Sequence, residues 1–346
     1  MESNFSEAGL NLKRFARHFQ LPGFTHEHQA RLHRSRVVIV GMGGLGNTVA
    51  QCLAAAGVGG MTIIDFDIVE ESNLARQVLF NEKDLAKAKA LIACQKLSEA
   101  YPGIQFNPKH EMLGDENRER LLAHHDLILD CCDLASAKYD IDAAAAALKI
   151  PVVFGAVNRF DGQVAVFHGK LKSTYTETFP RKSDVQPMDN CNLLGVWSPS
   201  VGIIGNMMAQ EALTMLAFGH SKLDGHLLNI QLADYECYLF KLNSHTTSQE
   251  DSHRGAELSA KNISPAEVEQ LRILHEDLRI IWLKNDDDTL DESIHNMSLD
   301  ELLWSCASWD RHSPIVLQCR NGIKSMQGAL SLSGEGFTRV FHSRVE

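Results

Sequence analysis

Gly41, Gly43 and Gly46 stand in the G-x-G-x-x-G spacing directly after the β-branched run Val37 to Val40. Glycine at these positions lets the chain turn tightly and approach a ligand closely. The N–H groups of the helix start that follows can then point at an anion. Leu45 to Ala56 places Val49, Leu53 and Ala56 on one helical face, so the stretch reads as strand, glycine turn and helix, a seat for nucleotide phosphates. Asp65 ends the next apolar run about 20 residues after the turn, where an acid can accept ribose hydroxyls. Beyond it come Arg76, Lys89 and Asp133, with Arg17 upstream. A nicotinamide enzyme needs little positive charge at its phosphates. Attack of a carboxylate on the α-phosphate of ATP needs more. Cations must offset the repulsion between two anions and stabilise the departing pyrophosphate, and a carboxylate must hold Mg²⁺. No general base is required, because the nucleophile is already ionised.

The elements that position these residues follow from periodicity. Lys13 to Phe19 reads as a short basic helix and Gly23 to Gln29 as a loop or weak helix. Met61 to Asp65 is the second strand, and Glu71 to Gln77 a polar loop. A helix is expected from Asp84 to Tyr101, stopped by Pro102-Gly103. Gln105 to Lys109 reads as an edge strand, Asn117 to Ala123 as a short helix, Asp126 to Asp130 as a buried strand, Ser136 to Lys149 as an Ala-rich helix and Pro151 to Gly155 as another strand. This alternation implies a parallel sheet with right-handed crossovers. Gly162 to His168 then alternates like an antiparallel strand, Lys170 to Trp197 is a long polar loop carrying Cys191, and Val201 to Phe218 is an apolar helix. Its Gly202, Gly205 and Ala209 form a small-residue stripe suited to close packing. Leu227 to Leu232 and Glu236 to Leu242 read as a closing hairpin.

The 346 residues, 44% hydrophobic and 22% charged, suit a folded protein of two domains, or one large one. A net charge of −11 argues against a general nucleic-acid or membrane-surface binder. Met1 to Leu10 has no apolar core, so no signal peptide is read there. The apolar helix carries Asn206, Gln210 and Glu211, which favours a core or interface helix over a membrane span. The eight cysteines contain no C-x-x-C pair. Reduced thiols in a cytoplasm are expected, several of them buried as small hydrophobes.

Residues Arg14 to Leu242 resemble the ThiF/MoeB/HesA family, bacterial relatives of the ubiquitin-activating enzymes. The resemblance rests on Arg14-Phe-Ala-Arg17, Gly41-Met-Gly-Gly-Leu-Gly46, Asp65-Phe-Asp67, Ser72-Asn-Leu-Ala-Arg76-Gln77, Lys89, Asp130-Cys-Cys-Asp133 and Gly202-Ile-Ile-Gly205, in that order. It implies a Rossmann-like ATP-binding domain with a mixed sheet. It also implies adenylation of the C-terminal glycine of a ubiquitin-like sulfur carrier ending in Gly-Gly, by a homodimer. By the same resemblance Gly41, Gly43 and Gly44 lie at the ATP phosphates, and Asp65, with Asp67 beside it, serves the ribose. Asn73, Arg76, Gln77 and Lys89 hold the nucleotide, Asp133 holds Mg²⁺, and Arg17 reaches the ATP of the opposite subunit. Cys191 falls where the family can carry a cysteine that forms a thioester or acyl-disulfide with the carrier. Many members bind zinc through two C-x-x-C pairs. Here the first reads Thr174-Tyr-Thr-Glu177 and none follows Leu242, so no zinc is predicted. The Asp-Asn step that often ends the Mg²⁺ strand reads Asp133-Leu134.

The adenylating domain is expected over 1–243, with a Ser/Thr/His-rich linker over 244–255. Residues 256–346 alternate again: helix Pro265 to Leu274, strand Leu278 to Leu283, helix Leu299 to Trp304, strand Ile315 to Gln318, helix Lys324 to Leu332 and strand Arg339 to His342. Cys319-Arg-Asn-Gly-Ile-Lys-Ser325 lies between strand and helix, where N–H donors and a helix start favour a thiolate. The loop resembles the rhodanese active site, which implies a persulfide on Cys319 and a sulfur donor such as a cysteine desulfurase or thiosulfate. The domain is short, and Trp282-Leu-Lys-Asn-Asp-Asp replaces the usual acidic stretch. Two other readings remain open from sequence: an NAD-dependent oxidoreductase on the same turn, and a non-catalytic binder of a ubiquitin-like protein.

Overall fold

The computed structural model describes residues 13–180, 195–242, 261–275, 277–283, 295–298, 301–302, 305–306, 309–319, 323–334 and 336–344. The chain forms two compact units, Met1–Thr246 and Thr247–Glu346. The division falls inside the expected linker, which lies outside the described residues.

The first unit is built on one eight-stranded sheet. Its strands are β1 (Arg36–Val40), β2 (Gly60–Ile64), β3 (Gln105–Lys109), β4 (Leu127–Asp130), β5 (Val152–Asn158), β6 (Asp161–Phe167), β7 (His226–Gln231) and β8 (Glu236–Lys241). The spatial order is β3-β2-β1-β4-β5-β6-β7-β8. The first five strands pair in parallel, and β6, β7 and β8 close the sheet antiparallel. The helices are α1 (His26–Arg34), α2 (Gly44–Ala56), α3 (Lys89–Ala100), α4 (Arg118–Leu122), α5 (Ala135–Leu148), α6 (Tyr175–Thr178) and α7 (Ser198–Phe218). Alternate strand residues face opposite sides of a sheet. One face, with Val37, Ile39, Met61, Ile63, Leu127 and Leu129, packs against Val49 and Leu53 of α2, Ala93 and Leu97 of α3, and Ile204 and Met208 of α7. Strand order reverses between β1 and β4, and the crevice at the carboxyl ends of such strands is where open α/β sheets take ligands.

The expected basic helix at Lys13 to Phe19 is instead a series of turns ending in a 3₁₀ turn at His18–Gln20. The weak helix after Gly23 is a regular one running on to Arg34, started by a capping box between Thr25 and His28. The helix expected from Asp84 begins five residues late. Residues 84–88 are drawn out of helical geometry by bonds to the segment after β2. Val69 N donates to the Lys87 carbonyl, Ala86 N to the Val69 carbonyl and Lys89 N to the Asp67 carbonyl, each at 2.9 Å. Ala86 takes a left-handed φ of 60° to permit this. Of the small-residue stripe in α7, Gly205 is the close contact: a side-chain carbon there would lie 2.7 Å from Thr48 of α2. Gly202 has nothing within 4 Å and does not belong to that seam.

The start of the long crossover is anchored from α5. The buried carboxylate of Asp142 accepts from His168 Nε2 at 2.7 Å, from Tyr175 N at 2.8 Å and from Thr176 N at 3.0 Å. Thr174 caps the short α6, so the tetrapeptide at the expected zinc-pair position is a hydrogen-bonded helical turn. Around it Phe154, Phe167, Tyr175 and Phe179 form an aromatic cluster.

The second unit is a five-stranded, all-parallel sheet of β9 (Lys261–Asn262), β10 (Arg279–Leu283), β11 (His295–Met297), β12 (Ile315–Cys319) and β13 (Val340–Arg344). The order is β11-β10-β12-β13-β9. Helices α8 (Pro265–Leu274) and α9 (Ile323–Gly334) belong to this unit. Leu302, Leu317, Ala329 and Leu332 centre its core.

Asp142 yields a pH prediction. Burial alone would raise its pKa, but the bonds from His168, Thr176 and Tyr175 outweigh burial and hold it below the ordinary 3.8. A carboxylate depressed on folding contributes stability above its unfolded pKa and loses it as pH falls through the folded value. Asp142→Asn is therefore expected to lower the melting temperature near neutrality, with the gap to the parent protein closing below about pH 4. Thermal denaturation across a pH series reads both limbs.

Candidate nucleotide-binding site

The site sits at the carboxyl ends of β1, β2 and β4, and each glycine of the turn has its own physical reason. Gly41 adopts a φ of 91°, and a side-chain carbon on it would meet the Cys131 carbonyl at 2.8 Å. On Gly46 such a carbon would sit 2.1 Å from the Gly41 carbonyl oxygen, so only glycine lets α2 leave the strand at this angle. Gly43 has nothing within 4 Å in the direction of a side chain. It precedes the first residue of α2 with no side-chain cap. The helix thus starts with no side chain capping its first N–H groups, the arrangement that suits a bound phosphate.

Asp65 is buried beside the turn. One carboxylate oxygen accepts from Met42 N at 2.6 Å and the other from Asp67 N at 2.7 Å. Burial raises its pKa, with Lys89 and these two N–H groups working against the rise. Asp67 is half exposed and bonds the Lys89 ammonium at 2.9 Å, whereas the Lys89 side chain is only 7% exposed. Lys89 is therefore no member of a solvated lysine face. The delayed start of α3 puts it at the mouth of the site, and its ammonium has further donors to offer beyond the one given to Asp67.

Arg76 lies on the loop after the 3₁₀ turn Glu71–Asn73, with Nη1 donating to the Ser72 carbonyl at 3.1 Å. Its backbone carbonyl lies against the helix start: a side-chain carbon on Gly44 would be 3.2 Å from it. Asn73 and Gln77 are buried in the same loop, and the Gln77 Oε1 atom is buried without a hydrogen-bond partner. Asp133 is exposed just past β4 and does not cap α5, whose N-cap is Leu134. The turn before it is held by Asp130, which accepts from Cys132 N at 3.2 Å and from Lys138 Nζ at 3.1 and 3.2 Å. Burial opposes the Lys138 charge, but Asp130 outweighs it and drives the Lys138 pKa up. Burial pushes Cys94 up to about 12 and Cys131 higher still, in keeping with inert core thiols.

The structure thus gathers Gly41, Gly43, Gly44, Asp65, Asp67, Asn73, Arg76, Gln77 and Lys89 in and around the turn, with Asp133 following β4, the neighbour of β1. Arg17 is exposed and bonds Gln20 at 3.2 Å within its own segment. Cys191 lies outside the described residues. In the second unit Cys319 is buried, and its Sγ accepts from Ser325 N at 3.2 Å, so one N–H of the α9 start does point at the sulfur. Sequence reasoning gave no role to Asn47 or Lys138, and quoted Asp130 only as part of a motif. The signal for Asn47 was a lone amide in the first turn of an otherwise apolar core helix. Asp130 and Lys138 are spaced so that a carboxylate ending a strand meets a lysine one helical turn into the next helix.

Glycine turn, buried acid and switch-point crevice define a Rossmann-like nucleotide-binding unit. The ThiF family pattern matches residues 15–252, and the chain belongs to that family. The sulfur carrier protein adenylyltransferase of Thermus thermophilus is 40% identical over 222 residues, covering 63% of this chain and 82% of that protein. The molybdopterin-synthase adenylyltransferase of Escherichia coli is 39% identical over 214 residues, covering 60% and 83%. The adenylyltransferase and sulfurtransferase MOCS3 of Drosophila willistoni is 35% identical over 210 residues, and the match covers 60% of this chain but only 46% of that protein. Among solved structures, E. coli MccB with ATP aligns at a TM-score of 0.61 and 18% identity over 71% of this chain and 74% of that one, a likeness of fold.

The glycines make opposite predictions. Gly46→Ala is expected to destabilise the protein by about 3 kcal/mol or more, because backbone must move. Gly43→Ala is expected to stay within about 1 kcal/mol of the parent, since its side is open. Chemical denaturation of the two variants separates a packing glycine from a ligand-facing one.

Proposed function

We propose that this protein adenylates the C-terminal glycine carboxylate of a ubiquitin-like sulfur-carrier protein ending in Gly-Gly, releasing pyrophosphate. The observation that carries this reading is the seating of the Arg76 loop on the open glycine turn. It sets a cation loop beside a phosphate cradle, a feature an NAD-dependent oxidoreductase leaves without a use. The names of the relatives, a sulfur carrier protein adenylyltransferase and a molybdopterin-synthase adenylyltransferase, support the same chemistry.

In this reading the N–H groups at Gly43 and Gly44 hold the ATP phosphates and Asp65 orients the ribose. Asn73, Arg76, Gln77 and Lys89 line the phosphate side, and Asp67 fixes the Lys89 ammonium. The carrier carboxylate attacks the α-phosphorus, the bond to the bridging oxygen breaks, and Arg76 and Lys89 offset the charge that builds on the leaving pyrophosphate. The exposed Asp133 carboxylate fits a hard cation, and Mg²⁺ held there would neutralise phosphate charge. A homodimer would let Arg17 of a second copy complete the site. α7 leaves Ile203 and Phe218 exposed beside Asn206 and Gln210, a mixed face that suits such an interface.

Sulfur transfer is the second half of the proposal. A persulfide on Cys319, charged by a cysteine desulfurase or thiosulfate, would attack the acyl carbon through its outer sulfur and expel AMP. The Cys191 thiolate would then displace the Cys319 thiolate from the resulting acyl disulfide, which links Cys191 to the carrier, and an external thiol attacking the Cys191 sulfur would release the carrier thiocarboxylate. The N–H of Ser325 at the Cys319 sulfur and the partial match to MOCS3 support this half.

ATP–pyrophosphate exchange is expected only with a carrier ending in Gly-Gly and Mg²⁺. Arg76→Ala and Asp133→Asn are each expected to cut it by about 10²-fold or more, as removal of an electrostatic stabiliser does. Unchanged exchange in both variants overturns the site assignment. Preferential binding of NAD would favour the oxidoreductase. Mass spectrometry of the protein after thiosulfate, and separately after a cysteine desulfurase with cysteine, is expected to show a persulfide on Cys319, lost in Cys319→Ala. A mass left unchanged by both sulfur donors reduces the second unit to a structural role.

A further inference from the structure

Asn47 lies in the first turn of α2 and is fully buried. Its amide nitrogen donates to the Met42 carbonyl at 2.9 Å and to the Gly43 carbonyl at 3.0 Å. Its amide oxygen accepts from Leu79 N at 2.9 Å. The orientation is fixed by the partners, since two carbonyls demand the NH₂ and an N–H demands the oxygen. Met42 and Gly43 belong to the phosphate turn, and Leu79 lies three residues past Arg76.

The loop between Asn73 and Phe80 is internally stiff. Arg76 N and Gln77 N both donate to the Asn73 carbonyl, at 3.0 and 2.8 Å, and Phe80 N donates to the Gln77 carbonyl at 3.0 Å. Phe80 is buried in the core. The far side of Leu79 is held as well, its carbonyl accepting from Lys96 Nζ of α3 at 2.9 Å. A displacement at Leu79 therefore passes back to Arg76. Asparagine alone among the small side chains supplies two donors and an acceptor to these three groups at once. Aspartate keeps the acceptor but has no hydrogen for the carbonyls, and alanine has neither.

We propose that Asn47 is a positioning residue for nucleotide binding: it pins the Arg76 loop to the glycine turn, so that the cation and the N–H cradle meet the phosphates as one rigid unit. This rests on the adenylation reading given above. Asn47 touches no ligand and acts by fixing where the Arg76 loop sits against the Met42–Gly43 turn. Its removal should therefore matter only while Arg76 is present.

The test is a double-mutant cycle of Asn47→Ala and Arg76→Ala in the full chain, with Asn47→Asp as a third variant, read by ATP titration calorimetry and pyrophosphate exchange. Asn47→Ala is expected to weaken ATP binding about 10-fold in the parent background and less than about 2-fold in Arg76→Ala. Hydrogen exchange at the Leu79 amide is expected to speed up by about 10-fold or more in Asn47→Ala and to stay near the parent rate in Asn47→Asp, which keeps the acceptor. Amides of β1 and β4 should keep their parent rates in both variants. Equal losses of ATP affinity in the two backgrounds, or unchanged exchange at Leu79 in Asn47→Ala, overturn the positioning role while leaving the adenylation reading intact. A parent protein that binds no ATP overturns the adenylation reading, and the positioning role with it.

Discussion

The first unit depends on one steric constraint, the passage of α2 across the end of β1. Gly46 comes so close to the Gly41 carbonyl that a single side-chain carbon would sit 2.1 Å from it. Everything at the site inherits its position from that crossing. It aims the α2 N-terminus over the strand ends and brings the Gly41 backbone against Cys131. It also buries Asn47 where the turn and the Arg76 loop can be joined. Because α2 is packed on the sheet and along α7 beside it, the phosphate seat is part of the core. A preorganised cradle of this kind stabilises developing charge without reorganising during reaction.

Charge is arranged around that seat by burial as much as by proximity. Lys89 is buried yet faces the half-exposed Asp67. Asp65 is buried with each oxygen already accepting one N–H. Asp130 is buried with Lys138 across both its oxygens. Each of these charges is thus held by a partner, whereas Asp133 stands exposed just past β4. In a low-dielectric wall such fixed charges act more strongly than they would in water.

Much of this was legible in the sequence because the determinants are local. Strand-turn-helix patterning placed β1 and α2 within a residue or two, while the different roles of Gly43 and Gly46 show only in the structure. The alternation of Gly162 to His168 marked the change from parallel to antiparallel strands. What could not be read depended on contacts distant in sequence. Residues 84–88 carry a helical pattern, but backbone bonds to residues 67–69 outbid it, and that displacement is what brings Lys89 to the site. Lys13 to Phe19 has helix-compatible residues but no cap and no apolar stripe long enough to hold a helix. Asn47 carries only the weak mark of a lone amide in an apolar helix, because its partners, among them the Met42 carbonyl and Leu79 N–H, are backbone groups that leave no mark on residue type.

The chemistry assigned to the site is tested most directly by following the fate of the carrier's last glycine. The protein, a Gly-Gly carrier, ATP and Mg²⁺ are incubated with hydroxylamine, and the carrier is then analysed by mass spectrometry. Adenylation predicts a hydroxamate on the C-terminal glycine, with AMP and pyrophosphate formed in step with it. Release of ADP, or AMP formation that leaves the glycine carboxylate unmodified, would contradict it.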